Sequence, residues 1–451
     1  MKKKDLRSKE WFDNPKDPGL TALYLERYLN YGLKREDLQS GKPIIGIAQS
    51  GSDLSPCNRH FQALSNVIKD GIREAGGVPM EFPTHPIQET GKRPTAGLDR
   101  NLSYLSLVEV LYGYPIDGVI LTTGCDKTTP AALMAAATVN IPSIVLSGGP
   151  MLDGTYKGKK AGSGTIIWEA RRLHAKGEIS YEEFMDMAAA SAPSIGHCNT
   201  MGTASSMNSI AEALGMSLTG GAIIPAPYKE RESISFKTGK RIVEMVHEDL
   251  TPSKIMTKKA FENAIYVASA IGASSNCPPH LTAIARHMGI DFGIDNWEKL
   301  GHDIPLLVNC QPAGEHLMEG FFKAGGIPAI MQELMKNNKL HKDLMTVTGK
   351  TIAENLIEKI DIDENIIKSF KNPLVNNAGF IVMKSNFFNS AVMKTSVISS
   401  EFRKRYLSNP TSLNLFEANA VVFEGPEDYH LRINDESLNI DENSILMIRG
   451  C

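Results

Sequence analysis

From about residue 40 the chain alternates two kinds of apolar pattern. Short unbroken runs at PIIGIAQS (43–50), VPMEFP (78–83), IDGVILTTG (116–124) and SIVLSGG (143–149) have the length and apolar content of buried strands. Between them lie stretches with helical spacing, over His60 to Ala75, Leu98 to Tyr112 and Pro130 to Val139. Strand and helix in alternation, joined by short loops, predict an α/β fold with a parallel sheet covered by helices. Residues 165–260 read as mostly helical, broken by a Gly/Ser-rich loop around Cys198 and by the apolar GGAIIPAP. DIPLLVN (303–309) predicts one more strand, and helices follow from His316 to about Glu358. After about residue 372 the texture changes. KNPLVNNAGFIVMKSNFF, AVMKTSVIS, ANAVVFEG and NSILMIRG read as short strands with acidic turns such as NDESLNIDEN between them. The expected organisation is a large N-terminal α/β domain over 1–372 and a smaller β-rich domain over 375–451, which stops abruptly at SILMIRGC.

Composition narrows the function classes. Of 451 residues, 42% are hydrophobic and 22% charged, ordinary values for a soluble globular protein. A net charge of −3 gives no electrostatic reason to expect nucleic acid as a partner. The basic start MKKKDLRSKEWFDNP has no apolar stretch behind it, so it does not read as a secretory signal. No apolar run approaches the roughly 18 residues that span a bilayer. A cytoplasmic protein without membrane contact is expected. The six cysteines include no C-x-x-C pair. In a large chain without a secretory signal, metal binding or inert burial is the reading left for them.

Ligands of open parallel sheets bind outside the carboxyl ends of the strands. Cys57 (SDLSPCNRH), Cys125 (TTGCDKTTP) and the loop HPIQETGKRP fall there, and Cys198 sits in the loop SIGHCNTMGTAS. Any one cysteine taken alone is best read as a small buried hydrophobe. Cys277, before Pro278-Pro279, and Cys310, at the end of a predicted strand, are read that way. The other three have Gly, Pro, Asn, Ser or Thr beside them, residues that leave backbone N–H groups free to bond cluster sulfurs. Three thiolates leave one cluster iron short of a protein ligand, and an open metal position is what Lewis-acid catalysis requires.

At the middle cysteine a soft ligand is followed at once by a carboxylate, Asp126, and an amine, Lys127. Thiolate selects iron–sulfur or zinc and carboxylate prefers magnesium, so the string suggests two different metals side by side. Glu89 and Asp126 are the best carboxylates for a hard cation. Their bland reading is a solvated loop charge, and that of Lys127 is a surface lysine. Carbamylation would instead make Lys127 a third oxygen ligand. His85, before Pro86, is a further loop candidate. Other signals are set aside. VTGKT (347–351) lacks the first glycine of a phosphate loop, Leu344 standing in its place. GSGTII (162–167) is no dinucleotide fingerprint, since position 167 is Ile. His280 and His287 share one helical face, as core residues do. Trp11, Trp168 and Trp297 suggest only packing.

Taken together, TALYLERYLNYGL, GIAQSGSDLSPCNRH, EFPTHPIQETGKRPTA, LTTGCDKTTPA, VLSGGPMLDG, GHCNTMGTASSMN, LLVNCQPAGEHL and TVTGKT resemble the dihydroxy-acid and 6-phosphogluconate dehydratase family. The likeness covers nearly the whole chain and is closest to the sugar-acid branch of arabonate, xylonate and fuconate dehydratases. The resemblance implies a [2Fe-2S] cluster on Cys57, Cys125 and Cys198. It also implies Mg2+ on Glu89, Asp126 and a carbamylated Lys127. The implied reaction is hydro-lyase chemistry that turns a small-molecule sugar acid into a 2-keto-3-deoxy acid, in a homodimer or tetramer. The alternatives are the branched-chain dihydroxy-acid enzyme or an inactive remnant.

The departures point to a C-terminal truncation. The family's serine base, in SD-x-RMSGT, and its GPKG…PGMPE segment do not occur here. SNFFNSAVMKTS (385–396) departs from GNLAPDGAVIKTS, and Ser275-Asn276-Cys277 replaces Thr-Asn-Ala. The expectation is a chain that binds cluster and magnesium but turns over substrate poorly, its serine base belonging to the missing C-terminus. A half-built β domain would also expose strand edges and apolar surface.

Overall fold

In a computed structural model the structure describes residues 5–87, 97–386, 389–407 and 417–450. The four apolar runs form one parallel sheet: β1 (Ile44–Gln49), β2 (Val78–Pro83), β3 (Gly118–Thr123) and β4 (Ser143–Ser147), in the order β2-β1-β3-β4. Every residue of β3 and β4 is buried. That is why these strands read as unbroken apolar runs and not as alternating ones. Register is set by pairs such as Ala48 with Leu121 and Thr123 with Ser147, so β1, β3 and β4 end together. Strand order reverses at β1, which puts the crevice for a ligand between the β1 and β3 loops.

Helices cover the sheet as the α/β pattern predicts. Phe61–Glu74 crosses Lys229–Glu248 with backbones almost touching. A Cβ on Gly71 would run into the carbonyl of Phe236, and one on Gly239 into that of Ile68. Thr128–Val139, most of its residues buried, packs against Gly97–Gly113, Thr203–Ala213 and Cys277–His287. The core runs continuously from Ile45 and Ile120 through Met207 and Phe261 to Trp297 and Phe321.

Three local expectations change. DIPLLVN forms no strand. It is extended, but its partners are single residues of a loop, Leu306 with Val375 and Val308 with Ile367, so no ladder develops. The polar stretch GTYKGKKA forms an unforeseen hairpin, β5 (Gly154–Tyr156) with β6 (Lys159–Ala161). Strands β7 (Phe380–Met383) and β8 (Ala391–Lys394) pair antiparallel, whereas β9 (Asn419–Phe423) and β10 (Ser444–Ile448) pair parallel around the helix Pro426–Arg432. The chain divides into two compact units, Met1–Ser396 and Val397–Cys451. The β7–β8 hairpin belongs to the first, and β9 and β10 to the second. Among the described residues no helix is long and apolar enough to cross a membrane.

Candidate active site

Three loops at the carboxyl edge of the sheet carry the candidate cysteines. Cys57 lies in a single 3-10 turn, Pro56–Asn58, after β1. Cys125 follows β3 directly, one residue past Gly124. Cys198 is tied to the loop after β4, where His197 donates its N–H to Gly149 O (3.0 Å) and Met151 donates to His197 O (2.9 Å).

Asn58 joins the first two loops. Fully buried, it accepts from the Cys125 N–H through Oδ1 (3.0 Å) and donates to Ser50 Oγ (3.2 Å). Ser50 N–H in turn donates to Thr122 Oγ1 (2.8 Å), whose hydroxyl donates to Ala48 O (2.8 Å). A Cβ at position 124 would collide with the Asn58 amide, so glycine is required there. Gly196, at φ +124°, plays the same part for Cys198, since a Cβ would sit 2.6 Å from Met151 N.

The sulfurs come together. The Cys57 thiol is hydrogen-bonded to Cys125. That bond, burial, and the charges of Cys125, Cys198 and Asp126 all push its ionisation far above the ordinary thiol range. Cys198 is pushed up to about 11, chiefly by burial and further by Asp126 and Cys125, and is held down by a hydrogen bond from Ser163. Neighbouring thiols and a carboxylate that disfavour the ionisation of Cys57 and Cys198 make a site short of positive charge. A bound iron cluster or cation would supply it, since thiolates beside a carboxylate are the donor chemistry such groups take. Among the described residues no three His, Cys, Asp or Glu side chains are grouped tightly enough to hold a single metal ion. A two-iron cluster does not need that, because its ligands are shared between two metals.

Asp126 is partly exposed and Lys127 buried, both at the amino end of Thr128–Val139. Glu89 lies outside the described residues. His85 lies within them and has a buried Nε2 with no hydrogen-bond partner among the described residues. Cys277 and Cys310 are buried, as expected, and Cys277 is pushed up to about 12 by burial. His280 bonds to Arg100 (3.0 Å) and His287 to Thr138 (3.0 Å), both structural roles. Trp297 is fully buried and Trp11 stacks on Tyr24, but Trp168 is exposed beneath the Arg171 guanidinium. VTGKT forms a turn closed by Thr346 on Lys350 and held by Val347 N–H on Gly215 O (2.8 Å).

Sequence reading missed several contributors. Arg231, fully buried, donates to the carbonyls of Ser147, Gly221 and Ile224 and so shapes the end of β4. Lys394, in AVMKTS, donates to Gly272 O (2.7 Å) in the turn before Cys277 and is drawn down to about 8 by burial. Ser163 donates to Cys198 Sγ (3.3 Å).

The fold is an α/β protein with three cysteines and a carboxylate in loops at the open edge of a parallel sheet, and comparison with known proteins specifies its family. The chain belongs to the dihydroxy-acid/6-phosphogluconate dehydratase family, matching its N-terminal description over residues 42–355 and its C-terminal description over 365–451. It is therefore a member of a family of hydro-lyases. It is 60% identical over 444 residues to D-xylonate dehydratase of Caulobacter vibrioides, which covers 98% of this chain and 74% of that protein. It is 43% identical over 457 residues to L-arabinonate dehydratase of Rhizobium leguminosarum bv. trifolii (100% and 76% covered). With dihydroxy-acid dehydratase of Acetivibrio thermocellus the identity is 37% over 376 residues (82% and 67%). The C-terminal match corrects one expectation: the family's second domain is present over 365–451, so a C-terminal truncation is not supported.

Proposed function

We propose that this protein is a sugar-acid dehydratase that removes water across C2 and C3 of an aldonate to give a 2-keto-3-deoxy acid, with D-xylonate as first substrate. The observation that carries the reading is the convergence of Cys57, Cys125 and Cys198 beside Asp126, in a chain 60% identical to a D-xylonate dehydratase. In this reading Cys57, Cys125 and Cys198 hold a [2Fe-2S] cluster, while Glu89, Asp126 and a carbamylated Lys127 hold Mg2+. When bound, the two groups supply Lewis acidity for a departing hydroxide and for negative charge developing beside the substrate carboxylate. The chain's own contribution is placement. The Asn58 bridge sets the separation of the Cys57 and Cys125 loops, and the amino end of Thr128–Val139 favours a bound carboxylate through its aligned N–H groups. Lys127 is buried, so its amine, or a carbamate on it, would be shielded from bulk water. We further propose a homodimer or tetramer, read out by light scattering.

The test is anaerobic loading with iron, sulfide and Mg2+, followed by 2-keto-3-deoxy acid formation from D-xylonate, L-arabinonate and 2,3-dihydroxyisovalerate. D-Xylonate turnover that chelation abolishes is expected. Turnover of the branched-chain acid alone, or none by fully loaded protein, would overturn the reading. The SD-x-RMSGT serine is absent from residues 1–451. Efficient turnover by those residues alone would therefore show that another group takes the C2 proton.

A further inference from the structure

The glycine-flanked string GSGT (162–165), which fits no nucleotide motif, has its middle residue against the third cysteine. Ser163 Oγ donates to Cys198 Sγ at 3.3 Å. The serine is held on both sides by the residues that follow that cysteine. Its N–H donates to Asn199 Oδ1 (2.8 Å), and its carbonyl accepts from Thr200 Oγ1 (3.2 Å). Asn199 is fixed in turn by donating to Leu152 O (2.8 Å). There is no room for a side chain at position 162, where a Cβ would strike Gln311 and lie 2.7 Å from Thr165 Oγ1. The hydroxyl is thus presented to sulfur by a backbone that has little freedom to turn it away.

We infer that Ser163 is a positioning residue that donates its hydroxyl hydrogen to the Cys198 thiolate of the iron–sulfur cluster, raising the cluster's reduction potential and sharpening the Lewis acidity of its iron. The inference rests on the cluster reading given above. A hydrogen bond draws electron density from a thiolate, so the sulfur donates less to iron, and the more negative, reduced cluster gains most from the bond. The same withdrawal leaves iron the stronger acceptor for a substrate oxygen. None of the backbone clamps on Ser163 needs its hydroxyl, so the side chain is free to serve the sulfur.

The experiment compares Ser163→Ala and Ser163→Thr with the unchanged protein, each loaded anaerobically. Iron and sulfide content, the visible charge-transfer spectrum, the midpoint potential by redox titration and the thermal unfolding midpoint are measured on all three. Ser163→Ala is expected to carry as much iron at a more negative potential with a shifted charge-transfer band, and Ser163→Thr to return both towards the original. Full iron with unchanged potential in Ser163→Ala overturns the proposal. Should Ser163→Ala lose its cluster, retention by Ser163→Thr at an unaltered unfolding midpoint supports it. Loss in both variants with a lowered unfolding midpoint overturns it in favour of a packing role. A Cys198→Ser variant that keeps the original's cluster and potential would instead bring down the ligand reading beneath it.

Discussion

Replacing Asn58 with alanine removes a side chain that ties the Cys57 loop to the Cys125 loop at the switch point of the sheet. Two bonds go, to Cys125 N–H (3.0 Å) and to Ser50 Oγ (3.2 Å). They are not equivalent. Ser50 keeps Thr122 Oγ1 as a partner at 3.0 Å, so losing its bond costs about 0.5–1.5 kcal/mol. The Cys125 amide lies in a fully buried setting, and an orphaned buried donor costs about 1–3 kcal/mol. Together these give a loss of about 1.5–4.5 kcal/mol, a sizeable share of the 5–15 kcal/mol typical of a folded protein. Urea unfolding of the metal-free protein measures it without the added stabilisation that a bound cluster would give. Exposed Asn101→Ala, expected within about 0.5 kcal/mol of the original, serves as control. Iron uptake should fall as well, because the Cys125 loop is no longer tied to the Cys57 turn. An Asn58→Ala protein with the unfolding midpoint and iron content of the control would refute the bridge.

Two further outcomes follow from the geometry. Gly196→Ala forces a side chain onto φ +124° and against the Met151 backbone, so it should cost at least about 2 kcal/mol and lower iron content by displacing Cys198, which calorimetry and iron assay would report. Buried Glu212 accepts from Gly220 and Ala222, and burial raises it to about 7 from an ordinary 4.5. Its contribution to stability is thus complete below about pH 4.5 and is lost as pH rises to about 7. His60, drawn down to about 4 from 6.5 by burial, has the opposite sign, its contribution present above pH 6.5 and lost towards pH 4. Unfolding midpoints of Glu212→Gln against the original should therefore shift in the variant's favour between pH 5 and pH 8, and a difference independent of pH would sink the assignment.

The parallel sheet was legible because a strand buried on both faces can be written only in apolar residues. Ile44–Gln49, Gly118–Thr123 and Ser143–Ser147 had few other readings. DIPLLVN carries the same signal and forms no strand, since whether an apolar run pairs depends on a neighbour hundreds of positions or a few dozen away. Leu306 and Val308 found single loop residues. The β5–β6 hairpin escaped for the reverse reason: GTYKGKKA is polar, and its tie lies outside it, in Lys160 on Asp153 (2.7 Å). The parallel pairing of β9 with β10 is set by the intervening helix Pro426–Arg432, which the short, acidic intervening sequence did not announce.

At the candidate site the division is chemical. Residues with unusual reactivity were visible by type: three cysteines set among turn-forming neighbours, and a carboxylate next to an amine. Residues that only place them were not. Asn58, Ser163 and Arg231 are ordinary side chains whose roles exist through partners 67, 35 and 84 positions away. Yet they decide what the reactive groups can do. Cys125 is held by its own amide through Asn58, and Cys198 by Ser163 and by the bonds of the neighbouring His197 to Gly149 and Met151. Small metal-nucleated domains spend their binding energy on folding, because no preformed site waits for the ion. Here the loops that carry the thiols rise from a sheet and a continuous apolar core built from the chain's own residues. Under the proposed cluster reading, metal binding energy would be left to offset the repulsion among sulfur and carboxylate charges that the fold has already brought together.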